Sequence, residues 1–180
     1  MGLLTGITAY ICGPIEAVSD GAGWRDQITP DLEAMSIRVW NPLKKPNWVL
    51  PLTYSADGST QKSWKGTIET DVDVYNANRQ IRSVSRRLAA AADILICRMT
   101  GAFTAGTMEE LSLAHGKPVF FWSNERIPSM WLCDQFATPK TIKNTFFDSW
   151  EGLHEYLKSV DNATVEIDPI KWIFLSWEMK

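Results

Sequence analysis

Asp93-Ile94-Leu95-Ile96-Cys97-Arg98-Met99-Thr100-Gly101-Ala102-Phe103-Thr104-Ala105-Gly106-Thr107-Met108-Glu109-Glu110 is the stretch that decides the fold. Its first five residues form a short aliphatic run, which reads as a buried strand. A Gly-containing turn follows, and residues 107 to 115 read as a short helix. Thr107-x-x-Glu110 at its start has the pattern of a capping box, in which a hydroxyl and a carboxylate satisfy free amides of the first turn. A strand that feeds a turn and then a helix is the unit from which parallel sheets are wound.

The flanks repeat this unit. Upstream, residues 68 to 92 suit a helix that is acidic early (Glu69, Asp71, Asp73) and basic late (Arg79, Arg82, Arg86, Arg87), an order that complements the helix dipole. Its end, Ala89 to Ala92, is small enough for close packing on a sheet. Downstream, Pro118 to Trp122 reads as a strand and residues 149 to 160 as a helix. Near the N-terminus, Ile7-Thr8-Ala9-Tyr10-Ile11-Cys12 is a strand closed by Gly13-Pro14, a pair that cannot continue a ladder. Trp24, Ile28, Leu32 and Met35 fall at helical spacing, so residues 24 to 36 are expected to be a helix with Pro30 as its weak point. Ile37 to Trp40 is a further strand, ended by Asn41-Pro42.

Apolar strands alternating with helices imply an α/β fold, a parallel sheet with helices on both faces, in one domain over residues 1–165. Residues 166–180 form an apolar tail that needs cover from its own domain or from a neighbour. Residues 43 to 66 have no period and contain Pro46, Pro51, Gly58 and Gly66, which suits a lid, with Trp48 or Trp64 placed to stack on a ligand. Ligands of such sheets bind beyond the carboxyl ends of the strands. The segments after Cys12, Trp40 and Arg98 are therefore the places for a site.

Composition removes several classes of function. With 18 Lys and Arg against 21 Asp and Glu the net charge is −3, which argues against a surface built to coat a nucleic acid. Three scattered Cys and two His give neither a disulfide framework nor a metal-ligand set, so the expectations are a reducing cytoplasm, no metal and no cofactor. No apolar stretch is long enough to cross a membrane. Nine Trp in 180 residues are unusual and call for an explanation, for which stacking and subunit contact are the expectations.

The turn before Glu110 has two compatible readings. One is the capping box alone. In the other, Gly106 lets the backbone approach an anion or a sugar, and Glu110 faces the same crevice from the first helical turn. A carboxylate there is favoured in its ionised form, which suits a nucleophile that captures an oxocarbenium-like sugar.

Tyr10-Ile11-Cys12-Gly13-Pro14, Trp24-Arg25, Val39-Trp40-Asn41-Pro42, Ala92-Asp93-Ile94-Leu95-Ile96 and Gly106-Thr107-Met108-Glu109-Glu110-x-x-x-Ala114-x-Gly116-Lys117-Pro118-Val119 occur in the order and rough spacing of a known family. Over about residues 7 to 122 the chain resembles the nucleoside 2-deoxyribosyltransferases, which include 2'-deoxynucleoside 5'-monophosphate N-glycosidases. The resemblance implies a Rossmann-like, flavodoxin-like sheet and a homodimer or larger homo-oligomer. It also implies cleavage of the N-glycosidic bond of a 2'-deoxynucleoside or its 5'-monophosphate, with the sugar passing to a free nucleobase or to water. Glu110 becomes the nucleophile, with Glu109 as the competing choice, and Tyr10 orients it. With the motifs go the substrate contacts Gly13, Pro14, Arg25, Asn41, Ser85, Thr104, Gly106 and Thr107.

Two positions depart from the family pattern. Thr104 stands where transferases carry an Asp that holds the 5'-hydroxyl. A hydroxyl there can donate to a phosphate that a carboxylate would repel, so Thr104, Arg25 and the Gly106-Thr107 helix start form the expected phosphate pocket. Ser85 stands where many members carry an Asp near the base, and a Ser cannot replace a titrating carboxylate. Asp71 and Asp73 are the alternative acids, and both are equally explained as charges at a helix start. The Gly-Thr-x-x-Glu string is also similar to that of the Lonely Guy phosphoribohydrolases. Loss of the acid leaves a non-catalytic nucleotide sensor as a further reading, and an interaction protein that uses its Trp-rich tail as another.

Overall fold

The structure, a computed structural model, describes residues 2–15, 21–44, 67–101, 104–123 and 130–176. The aliphatic runs form strands β1 (Thr8–Cys12), β2 (Arg38–Trp40), β3 (Ile94–Arg98) and β4 (Val119–Trp122), and Phe146–Phe147 adds β5. All pair in parallel in the order β2-β1-β3-β4-β5. This is the doubly wound, Rossmann-like order of flavodoxin type, whose direction of winding reverses between β1 and β3. β5 has only two residues and so leaves no apolar run to read in the sequence.

The helices are α1 (Gly23–Ala34), α2 (Val72–Ala91), α3 (Ala105–Ser112), α4 (Met130–Phe136), α5 (Trp150–Asp161) and the short α6 (Ile173–Ser176). Pro30 lies within α1 on its exposed side, where the carbonyl it leaves unpaired can meet water, and the helix continues past it. Asp71 caps α2 by accepting from the amides of Asp73 (2.9 Å) and Val74 (3.2 Å). At the other end of α2, Lys117 Nζ donates to the carbonyls of Ala89 (3.2 Å), Ala90 and Ala92 (2.7 Å). A cation there satisfies carbonyls that have no partner within the helix.

Alternation along the strands divides the core in two. Ala9, Ile11, Ile94, Ile96, Phe120 and Trp122 face α1 and α5, with Trp24, Ile28, Leu32, Trp150, Leu153 and Leu157 against them. Their neighbours Tyr10, Cys12, Leu95, Cys97, Val119 and Phe121 face the other way, toward Ala89 of α2, Leu111 of α3 and Leu132 of α4. Helices therefore cover both faces of the sheet.

Four of the nine tryptophans serve the core instead of a stacking or contact surface, while Trp131 is exposed. Trp24, Trp122, Trp150 and Trp172 are buried together in the first core layer. Trp24 and Trp122 meet edge to face at 5.9 Å, and Trp122 and Trp150 at 6.2 Å. Trp150 reaches Asp31 with its ring nitrogen at 2.7 Å. Trp172 and Leu175 of the tail lie in this layer while Ile170 and Ile173 remain exposed. Trp48 and Trp64, with the 45–66 part of the expected lid, and Trp177 lie outside the described residues. Among the described residues no helix is long and apolar enough to cross a membrane.

Candidate active site

A crevice of about 850 Å³ opens at the carboxyl ends of β1 and β3, where the winding reverses. Four chain segments build it. Gly13 and Ile15 follow β1, Pro42 follows β2, Asn78, Ile81, Arg82, Ser85 and Arg86 lie along α2, and residues 104–107 with Glu109 and Glu110 come from the start of α3.

Tyr10 is fully buried in the middle of β1 and sends its hydroxyl to Glu110, donating to Oε1 at 2.6 Å. Burial, the Glu110 charge and this hydrogen bond all raise the Tyr10 phenol far above its ordinary range, while the Ser85 hydroxyl acts in the opposite sense. The phenol therefore stays protonated and serves as a fixed donor. A carboxylate that accepts such a bond is favoured in its ionised form and held in one rotamer.

The start of α3 differs from the expected box. Thr104, not Thr107, is the N-cap, accepting from the Thr107 amide at 3.3 Å, and the two hydroxyls lie 3.0 Å apart. The helix begins at Ala105, so Glu110 stands in its second turn and reaches Tyr10 across the crevice floor instead of returning to the cap. A tyrosine bond rather than the helix dipole therefore orients it. Gly106 belongs to this first turn, and a Cβ there would meet no atom within 4 Å. Its face is open crevice.

Gly13 carries a real backbone constraint. Its φ is +147°, and a Cβ would fall 2.9 Å from the Arg98 carbonyl oxygen and 3.2 Å from the Trp24 ring. Behind it sits Arg25, which the sequence placed in the phosphate pocket. The structure instead buries this guanidinium completely, donating from Nη2 to the Gly13 carbonyl at 2.8 Å and from Nη1 to the Gly21 carbonyl, 4.3 Å from the Trp24 ring centroid. Arg25 clamps the two ends of the β1–α1 loop and does not line the crevice. A residue of helix α1 that faces the sheet cannot also face the solvent end of the strands.

The other expected contacts divide in the same way. Ser85, Thr104, Gly106, Thr107, Gly13 and Glu110 meet in the crevice, with Tyr10 beneath them. Pro14 is not among the lining residues, and Asn41 is buried with its side chain accepting from the Leu43 amide at 2.9 Å, so that Pro42 is the wall at that point. Asp71 and Asp73 are at the start of α2, outside the lining. The sequence reading missed Asn78 and Ile81 and took Arg82 and Arg86 as the basic latter part of a helix. Their spacing with Ser85, three and four residues apart, is the signal that one face of α2 forms a wall.

Glu109, the competing choice for nucleophile, is engaged elsewhere. Arg82 grips it from Nε (2.7 and 3.1 Å) and Nη2 (2.6 Å), and Arg86 Nε lies 3.5 Å away. These bonds hold its carboxyl below the usual range. Among the described residues no group of three His, Cys, Asp or Glu could hold a metal. No protein-family model matches the chain, and comparison with curated proteins finds no match.

Proposed function

We propose that the protein cleaves the N-glycosidic bond of a 2'-deoxynucleoside or its 5'-monophosphate and passes the deoxyribosyl group to another base or to water. The observation that carries this reading is the 2.6 Å bond from Tyr10 to Glu110 on the floor of a crevice at the β1/β3 reversal. A buried, permanently protonated donor holds the Glu110 carboxylate at the lining of a space large enough for a nucleotide. In the proposed step Glu110 Oε2 bonds to the anomeric carbon as the C–N bond breaks, and the bonding pair leaves with the base, which gains a proton. Attack on the same carbon by an acceptor base or water then frees Glu110. A homo-oligomer, carried by the family resemblance, and a cytoplasmic location, carried by the few scattered cysteines, are part of the proposal.

Ser85 favours a second reading. The only carboxylates of the described lining are Glu109 and Glu110, and Arg82 holds Glu109 ionised, so no side chain there is an evident acid for the departing base. A nucleotide sensor with the same pocket follows if solvent does not supply that proton. Incubating the protein with the four deoxynucleosides and their monophosphates, with and without a second base, separates these outcomes. Free base without acceptor marks hydrolysis, base exchange marks transfer, and binding without product marks a sensor. A phosphoribohydrolase would act on ribonucleotides instead.

A further inference from the structure

The crevice has a charge asymmetry that the proposed reaction does not use. Arg82 and Arg86 line its α2 wall, and on their far side a hollow of about 440 Å³ is lined by Arg79, Arg82, Arg86 and Arg87. Among the described residues Glu109 is the one carboxylate paired with this row, and it lies in the fork of Arg82. We propose that this row is the seat for the 5'-phosphate of the substrate, and that Glu109 occupies the fork until phosphate displaces it.

The argument is one of shape and charge. A guanidinium fork presents parallel N–H donors that fit a carboxylate and a phosphate equally, so the Glu109 carboxylate marks where phosphate oxygens would go. The lock is exposed, with Arg82 and Arg86 side chains 63% and 49% accessible. Exposed ion pairs contribute little to stability, and this one is readily exchanged. A single carboxylate leaves most of the four arginines' charge uncompensated, whereas a phosphate monoester brings a second negative charge and a third oxygen. Arg25 does not take this role, because it is fully buried outside the lining, with its two Nη atoms on the Gly13 and Gly21 carbonyls. Thr104 and Gly106 at the α3 start, which also line the crevice, are left to the sugar.

This inference rests on the nucleotide reading above, but its test does not depend on turnover. 2-Deoxyribose 5-phosphate, inorganic phosphate and 2-deoxyribose are titrated calorimetrically into the whole protein and into Glu109→Gln, Arg82→Ala and Arg86→Ala. The three side chains are exposed or half-buried, so folding does not depend on them. Removing the internal competitor should tighten both phosphate probes by about threefold or more, and removing either arginine should weaken them by about tenfold. Binding of 2-deoxyribose should be equal in all four proteins. Phosphate affinity unchanged by Glu109→Gln and by both arginine variants would overturn the proposal, as would no phosphate binding to the unaltered protein at millimolar concentration. If the phosphate pattern holds and no base is released from any nucleotide, the glycosidic reading fails and the seat stands. Release of base with no preference for phosphate gives the reverse.

Discussion

At the scale of single residues, the site is one hydrogen bond with its supports. Tyr10 is held by the sheet, and its hydroxyl has the Ser85 hydroxyl and Glu110 as neighbours. Tyr10→Phe removes the donor and keeps the ring. A hydrogen bond to a charged group is worth about 1.5–3 kcal/mol, so kcat for base release should fall by roughly tenfold to a hundredfold. Thermal melting should change little, because the ring and its packing survive; a wild-type rate in the variant would remove Tyr10 from the mechanism. Much of this site was legible in the sequence, since Tyr10 lies on a strand closed by Gly13-Pro14 and Glu110 follows a turn, and the carboxyl ends of such strands gather at one edge of a parallel sheet. Arg25 was not, because in the Trp24-Arg25 motif it reads like an anion ligand. Only the packing of α1 shows that its partners are carbonyls.

At the scale of elements, the α3 start and the length of α2 determine the crevice. The sequence located both helices, but it began α3 two residues late because Thr107 and Thr104 are equally good caps and only the chain path chooses between them. That choice moves Glu110 from the first turn to the second and turns it toward Tyr10. It also places Gly106 in the helix with open space at its Cβ position. Gly106→Val should therefore fill the crevice without a clash in the fold. Deoxynucleotide affinity should drop by at least about tenfold while the melting temperature is unchanged or slightly lower, as a β-branched residue in a helix predicts. Undiminished binding would show that no ligand approaches this turn. The elements that escaped the sequence, α4, α6 and β5, are the shortest ones, too brief to show a period.

At the scale of the whole molecule, the last described residues lock onto the domain. Trp172 and Leu175 enter the core, and between Ile170 and Trp172 the chain carries Lys171 over the Phe120 ring at 4.3 Å, with Nζ donating to the Asn144 carbonyl (2.7 Å) and Thr145 hydroxyl (2.9 Å). Burial lowers the Lys171 ammonium to about 7. Below that pH the lysine is charged in both folded and unfolded chains, and above its ordinary value near 10.4 it is neutral in both. Between them the unfolded chain binds more protons, so stability should rise with pH, by on the order of a few kcal/mol from this group. Denaturation of wild type and Lys171→Met at pH 7 and pH 10 checks the sign: the rise should be smaller in the variant, and equal rises would show that Lys171 is not the source. The tryptophan excess belongs to this scale too, because four of the nine are spent on one side of the sheet. The central claim remains the chemistry at Glu110. Its most direct test is base release from the preferred deoxynucleotide by wild type and Glu110→Gln, read together with the intact mass of the protein quenched during turnover. The account predicts a deoxyribosyl mass increment on wild type and neither increment nor base release with Glu110→Gln, whereas base release by Glu110→Gln at the wild-type rate would contradict it.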